Sequence, residues 1–319
     1  MSRKFDKKKI FVTIFKLGVS VGILYFLFYV INIYNLVESF NQVRIITILM
    51  VGIGYFVIDY IGVKRWQVIL RNVKIDVSDK DLYVSYLVGA FFNNFLPSSI
   101  GGDISKVFTV KIKEEDRILF GGTVVAERLA GMINGLFWGV LTGSLYLSKA
   151  DEILLLWLFL LLCLFLLLVL ILFRKRIKVS RFFSLLPAGY KQVYKDFVGR
   201  ISHFQIDWDD IIKIFIYSTL SLFVSLFTTN LFLIDLGYPV MVAPIIFMIS
   251  AVMMISLIPV SLNAFGVREV GFVAILGLFR VKSYDALLIG LVSRVVLILC
   301  SLVGGVLLLL NKSTKDKVE

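Results

Sequence analysis

The sequence predicts an all-α, polytopic integral membrane protein, a single transmembrane domain over residues 1–319 with about six full spans and two oppositely oriented re-entrant helical hairpins in an inverted repeat. Three observations predict it. The chain is 59% hydrophobic with a mean hydropathy of +0.92, and it holds several runs near the roughly 20 apolar residues that cross a bilayer. Two apolar stretches are broken by polar residues, proline and small residues: FFNNFLPSSIGGDISKVF from Phe91 and IPVSLNAFGVREVGF from Ile258. Basic residues gather in short loops at span ends, as the positive-inside rule requires.

The first span covers residues 10–33 behind the basic start MSRKFDKKK, and it lacks an A-x-A-like cleavage site, so it reads as an anchor with a cytoplasmic N-terminus. NIYNLVESFNQVR carries little net charge and is placed outside. The second span, 44–63, ends on Lys64-Arg65-Trp66, which reads as an interfacial anchor. Asp59 is placed near the cytoplasmic end of this span. Residues 82–110 run into the first break and out again between two basic flanks, which makes them a hairpin entering and leaving on one side, with its tip near Pro97 to Asp103.

Residues 118–147 cross outward and the Leu-rich run 153–173 returns to Arg174-Lys175-Arg176. From about 174 to 208 the chain mixes aromatic and basic residues and reads either as a cytoplasmic amphipathic connector or as an ordinary loop. Residues 211–235 cross outward, 241–280 hold the second break, and 285–310 end at cytoplasmic lysines. The charge rule then makes the second hairpin enter from the opposite face. Repeats of about 10–147 and 153–310 thus share one order, and 211 minus 44 and 285 minus 118 both give a shift of 167 residues. Corresponding breaks in two inverted halves mark a transporter-like site near mid-membrane.

Asp103, Lys106, Glu127, Arg128, Arg268, Glu269 and Arg294 all lie in or beside the breaks or in the helices that follow. At roughly 2.5–3.5 kcal/mol each, seven unpaired charges at membrane depth would cost about 17–25 kcal/mol. They must pair or face water. Four positive charges against three negative leave one cation, which a phosphate would complete. Helices starting near Gly101 and Gly266 would aim N–H groups and a positive dipole end at the same depth. Gly101 and Gly102 permit close backbone approach, and the planar fork of Arg128, Arg268 and Arg294 suits a phosphate.

Plainer readings stand beside these. Asp103 is equally readable as a first-turn acid capping its own half-helix, and Glu127–Arg128 and Arg268–Glu269 as structural pairs. Asn93 and Asn94 could bridge helices by hydrogen bonds. Ser99 and Asn263 sit at the two breaks and complete the candidate ligands. Pro97 and Pro259 end helices.

The net charge of +12 follows from the cytoplasmic loops and does not indicate nucleic-acid binding. Cys163 and Cys300 lie in apolar spans and form no metal or disulfide pattern, and the one histidine, His203, is remote from both breaks. No cofactor is expected.

NNFLPSSIGGDISKVF, VVAERLAG and IPVSLNAFGVREVGF resemble the signature segments of the lysylphosphatidylglycerol synthase transmembrane-region family of flippase-like proteins, over nearly the whole chain. The resemblance places the family's polar motif on Asn94, Pro97, Gly101, Gly102, Asp103, Glu127, Arg128, Gly266, Arg268 and Glu269. Lys106 stands where the family commonly shows arginine. Aminoacylating members carry a long soluble domain, whereas about nine residues follow the last span here, so the resemblance does not imply a lysyltransferase. What it implies is a non-enzymatic carrier of lipids with phosphate head groups in the cell membrane, both termini cytoplasmic. A separately encoded lipid-modifying transferase is a conceivable partner. Two other readings stay open: a membrane component of a lysyltransferase or glycosyltransferase system, the latter using Glu38, Asp151 or Glu152, and a non-transporting partner of envelope enzymes.

Overall fold

The computed structural model describes the backbone of residues 7–95, 101–146, 151–172, 207–256 and 260–315, and among them regular structure is helical throughout. Eleven α-helices follow in order: α1 Lys7–Val30, α2 Ile33–Gln42, α3 Ile45–Asn72, α4 Asp79–Phe95, α5 Gly101–Thr109, α6 Arg117–Gly143, α7 Asp151–Leu172, α8 Trp208–Asp235, α9 Ala243–Ile255, α10 Val267–Leu278 and α11 Ser283–Lys315. The segments within α1, α3, α6, α8 and α11 are long and apolar enough to cross a membrane. This is a multi-pass membrane protein. Its outer surface is apolar, with Phe15, Tyr29, Phe165 and Leu309 exposed, while ionic groups such as Glu127, Glu269 and Arg294 are buried. That distribution suits a lipid exterior, where charged side chains turn toward the bundle interior.

The expected 44–63 span continues to Asn72 as one helix, and the interfacial reading of Lys64-Arg65-Trp66 is corrected there. Trp66 is 1% exposed and its indole N–H donates to Thr123 Oγ1 at 2.9 Å. The reason is the buried apolar run Val68-Ile69-Leu70 beyond it, of which Ile69 and Leu70 pack with Trp66, Leu82 and Phe120, and which carries the helix past its basic residues. Asp59 consequently lies at the middle of α3 and not at its end. The segment placed as an external loop contains α2, whose N-cap Asn32 accepts from Tyr34 N–H at 2.9 Å.

Each break separates two short helices that pack together. Gly102 N–H donates to Asn93 Oδ1 at 3.1 Å and Ser85 Oγ donates to Lys106 O at 3.1 Å, so α4 and α5 run antiparallel. A Cβ on Gly102 would stand 2.2 Å from Gly89 O, so only glycine permits this approach. In the second half α9 packs on α10, with Val252 against Gly271. Pro97, Ser99 and Pro259 lie outside the described residues, as do His203 and all but the last two residues of the 174–208 connector.

The two halves interlock. α3 and α8 lie antiparallel: Arg44 and Thr47 bind Asp235, Gly54 faces Thr228, Arg65 donates to Ser218 Oγ at 3.0 Å, and Asn72 donates to Asp210 at 2.7 Å. α4 packs on α11 where Leu87 meets Gly304 and Phe91 meets Gly305, while α9 packs on α6 where Met253, Ser250 and Phe247 meet Gly135, Gly139 and Gly143. The first arm of each break therefore rests on the last long helix of the other half. Small residues at both seams let the backbones close, the usual device of helix packing in membranes.

Candidate functional site

Between α3, α4, α5, α6, α8, α9, α10 and α11 lies a cavity of about 630 Å³. Asn94, Asp103, Lys106, Glu127, Arg128, Asn263, Arg268 and Arg294, all singled out from sequence, line it. Gly101, Gly102 and Glu269 do not; Gly102 is buried against Asn93 and Gly89, and Glu269 lies behind Arg294. Arg65, Tyr86, Asn134 and a row of hydroxyls on α8 line it as well, and sequence reasoning did not pick them out. For Arg65 the signal was available, because an arginine followed by further apolar turns cannot sit at a span end.

The pairing of charges differs from the neighbour pairs considered above. Glu127, 3% exposed, pairs with Arg65 and accepts from Tyr86 OH at 2.6 Å, while Arg128 Nη1 donates to Asp103 Oδ2 at 2.5 Å. Glu269, wholly buried, accepts from Arg294 Nε at 3.3 Å and not from Arg268. Adjacent residues on a helix point about 100° apart and cannot face one another. Asp103–Arg128 and Glu269–Arg294 each span 25 residues of sequence, and 269 minus 103 and 294 minus 128 both give 166. One sequence shift thus relates the two ion pairs.

Most of the cations are thereby committed to protein partners. Lys106, 6% exposed, lies 3.7 Å from the Tyr86 ring centroid and 3.9 Å from Asp103 Oδ1. Arg294 also donates to Asn263 O at 3.1 Å and Ala264 O at 3.4 Å, and its guanidinium stacks over Phe265 at 4.4 Å. It clamps the second break, where Asn263 and Ala264 carry φ of 44° and 57°, a region that non-glycine residues seldom occupy. Arg268 differs: it reaches the cavity, lies 5.7 Å from the Phe272 ring and makes no ion pair among the described residues.

The helix N-termini are less open to an anion than the sequence suggests. Gly266, at φ 83°, caps α10, and its N–H donates to Glu269 Oε2 at 2.7 Å. A protein carboxylate already stands where a free anion would. At α5, Asn93 takes the Gly102 N–H in the same way. Across the cavity Asn263 Nδ2 donates to Asn94 Oδ1 at 3.2 Å, tying one break to the other.

Fold and site together define an all-helical membrane protein whose long helices surround a charged, hydroxyl-lined cavity. The chain belongs to the lysylphosphatidylglycerol synthase transmembrane-region family, whose model matches residues 13–304. It is similar to a UPF0104 membrane protein of Methanocaldococcus jannaschii, with 24% identity over 280 residues covering 79% of this chain and 81% of that one. No solved structure matches the chain.

Proposed function

We propose that this protein moves an anionic, phosphate-bearing lipid between bilayer leaflets, the head group passing through the central cavity. Arg268 carries this reading: it is a guanidinium facing a polar cavity at the junction of the two halves, with no carboxylate of its own among the described residues. A phosphate would supply the missing charge through a bidentate contact. Phosphatidylglycerol, aminoacyl-phosphatidylglycerol and polyprenyl-phosphate sugars share that group, and membership of the lysylphosphatidylglycerol synthase transmembrane-region family accords with the first two.

In this reading α7 is a sixth span, and α4–α5 and α9–α10 are hairpins dipping from opposite faces of the cell membrane. The antiparallel α3–α8 pair, the reciprocal α4–α11 and α9–α6 seams and the equivalent ion pairs support an inverted repeat. With both termini cytoplasmic, Asp103 and Arg268 approach mid-membrane from opposite sides. The protein acts as a carrier and not as a transferase.

A leaflet-exchange assay in proteoliposomes tests this, using fluorescent phosphatidylglycerol, lysyl-phosphatidylglycerol and a polyprenyl-phosphate sugar with wild type and Arg268→Ala. Accelerated exchange of at least one lipid, abolished in the folded variant, is the expected result. Exchange at the rate of empty liposomes for all three would overturn the reading in favour of a transferase component or a non-transporting partner.

A further inference from the structure

The cavity has a second wall that the anion reading does not use. On α8, Ser218, Ser221, Ser225, Thr228 and Thr229 follow one another at helical spacing and all line it. The same cavity is lined by cations, Arg268 and Arg128 among them.

The hydroxyls of this wall are arranged in a particular way. Ser225 Oγ donates to Ser221 O at 3.1 Å, Thr228 Oγ1 to Ser225 O at 3.0 Å and Thr229 Oγ1 to Ser225 O at 2.9 Å. A hydroxyl has one proton and two lone pairs, so these three have spent their protons on their own helix and retain only acceptor capacity. Ser218 does likewise toward Ile214 O at 2.8 Å and accepts from Arg65. Ser221 is the exception. Its Oγ is buried and finds no hydrogen-bond partner among the described residues, although buried hydroxyls are ordinarily satisfied. The wall therefore offers several acceptors and one group able both to donate and to accept.

Building on the anionic-lipid reading, we infer that the α8 hydroxyl row is a subsite for a polyol attached to the phosphate, a glycerol or sugar whose hydroxyls donate to Ser225 and Thr229 and exchange hydrogen bonds with Ser221. A polyol matches both roles because each of its hydroxyls gives and takes a hydrogen bond. An ammonium group gives only, and the cavity's carboxylates, Asp103 and Glu127, are already held by Arg128 and Arg65. The head group then lies across the cavity, with phosphate on the cationic side and polyol on α8.

Native mass spectrometry of the purified full chain in detergent tests this, with phosphatidylglycerol and phosphatidylethanol of identical acyl chains as probes. Both are singly charged phosphodiesters, and the second lacks the hydroxyls. Wild type should retain phosphatidylglycerol about tenfold better, near the 1.4 kcal/mol that a tenfold ratio represents, and Ser221→Ala/Ser225→Ala/Thr229→Val should bring the ratio below about twofold while keeping phosphatidylethanol. Arg268→Gln should lose both lipids. Equal retention by wild type, or a ratio unchanged in the triple variant, overturns the polyol subsite and leaves the anionic reading standing; retention of neither lipid overturns both. Ser221→Ala alone should unfold no earlier than wild type, since it breaks no bond within the protein; a lowered unfolding temperature would assign Ser221 to structure and overturn its role here. Soluble glycerol 1-phosphate is a further arm. Displacement of phosphatidylglycerol at equal concentration supports the same polyol-phosphate chemistry with a free ligand as its source, and failure to displace supports the lipid.

Discussion

Asn94 and Asn263 lie 169 residues apart in sequence and are joined by a side-chain hydrogen bond of 3.2 Å, a direct link between the two helix breaks. Asn94 also donates to Ala90 O at 3.1 Å, so its amide is oriented by its own helix before it meets the second break. A hydrogen bond between two neutral amides contributes only about 1 kcal/mol. This contact between the two breaks is thus weak enough to part without unfolding either one.

That contact predicts a cross-link. In a background lacking Cys163 and Cys300, Asn94→Cys/Asn263→Cys should be joined by a short bifunctional thiol cross-linker, because amide ends 3.2 Å apart leave the two Cβ atoms too far apart for a direct disulfide, and the product is read as a mobility change after proteolysis between the halves. The cross-linked protein should exchange lipid more slowly than the same variant without cross-linker. A folded double variant that never cross-links would place the breaks apart.

Glu269 combines two functions, pairing with Arg294 and capping α10 through Gly266 N–H. Glu269→Gln should therefore lower stability by about 3–5 kcal/mol, the usual cost of leaving a buried charge without its partner. Asp103→Asn should cost less, because Arg128 is a third exposed and can turn toward water in the cavity. Thermal unfolding in detergent ranks the two, and an equal loss would contradict the difference in burial.

Gly304 carries the seam between α11 and α4, where a Cβ would stand 2.0 Å from Leu87 O. The obstacle is backbone and has no rotamer to retreat to. Gly304→Ala should destabilise by about 1–3 kcal/mol or more. Gly18, inside α1 with nothing within 4 Å, is the contrast: Gly18→Ala should stabilise by up to about 1 kcal/mol through helix propensity alone.

The helices and their breaks were legible because their determinants are local. Apolar run length located the five long helices apart from the far end of α3, and α5 begins at Gly101, where polar and small residues end one helix and start the next. The chain's charged residues around the breaks do converge on one cavity. Their partners were not legible, since Glu127 reaches Arg65 across 62 residues and Glu269 reaches Arg294 across 25. Neither distance has a local signature. Arg65 was misplaced because a basic-aromatic triplet was read as a span end, although Val68, Ile69 and Leu70 continue the apolar pattern. The α8 hydroxyls were passed over because serine and threonine in membrane helices usually bond their own backbone, and here most of them do.

In the connection between α8 and α9, Tyr238 OH donates to Asp285 Oδ2 in the first turn of α11 at 2.5 Å and accepts from Lys282 N–H at 3.0 Å, while Ser39 Oγ donates to Asp285 Oδ1 at 2.6 Å. Burial, and then the bond to Asp285, raise the Tyr238 hydroxyl from 10.0 to about 12. A group whose pKa rises on folding adds stability below its unfolded value and loses it as pH climbs toward its folded one. Unfolding temperature should therefore be insensitive to this tyrosine's ionisation between pH 6 and 9 and fall above pH 10. Tyr238→Phe should cost about 1 kcal/mol at neutral pH and remove this tyrosine's share of the alkaline loss. A variant with the wild-type pH profile would show that the clip carries no stability.

The Arg65–Glu127 pair tests whether the cavity's charges are kept for folding or for the ligand. Glu127 is buried with Arg65 and Tyr86 around it, and Arg65 has its remaining bond to Ser218, so the group is satisfied within the protein. Removing one partner strands the other: Arg65→Met or Glu127→Leu alone should each cost about 3–5 kcal/mol. Replacing both removes the stranded charge, and such swaps are often neutral or stabilising. The double variant should therefore be more stable than either single one, a coupling that a double-mutant cycle of unfolding free energies reads directly. Its lipid exchange decides the role. Arg268 and the Ser221, Ser225 and Thr229 hydroxyls are untouched in this variant, so exchange should persist at a reduced rate if Arg65 and Glu127 serve mainly to join α3 to α6. Complete loss of exchange in a double variant that folds as stably as wild type would instead place the pair in contact with the travelling head group.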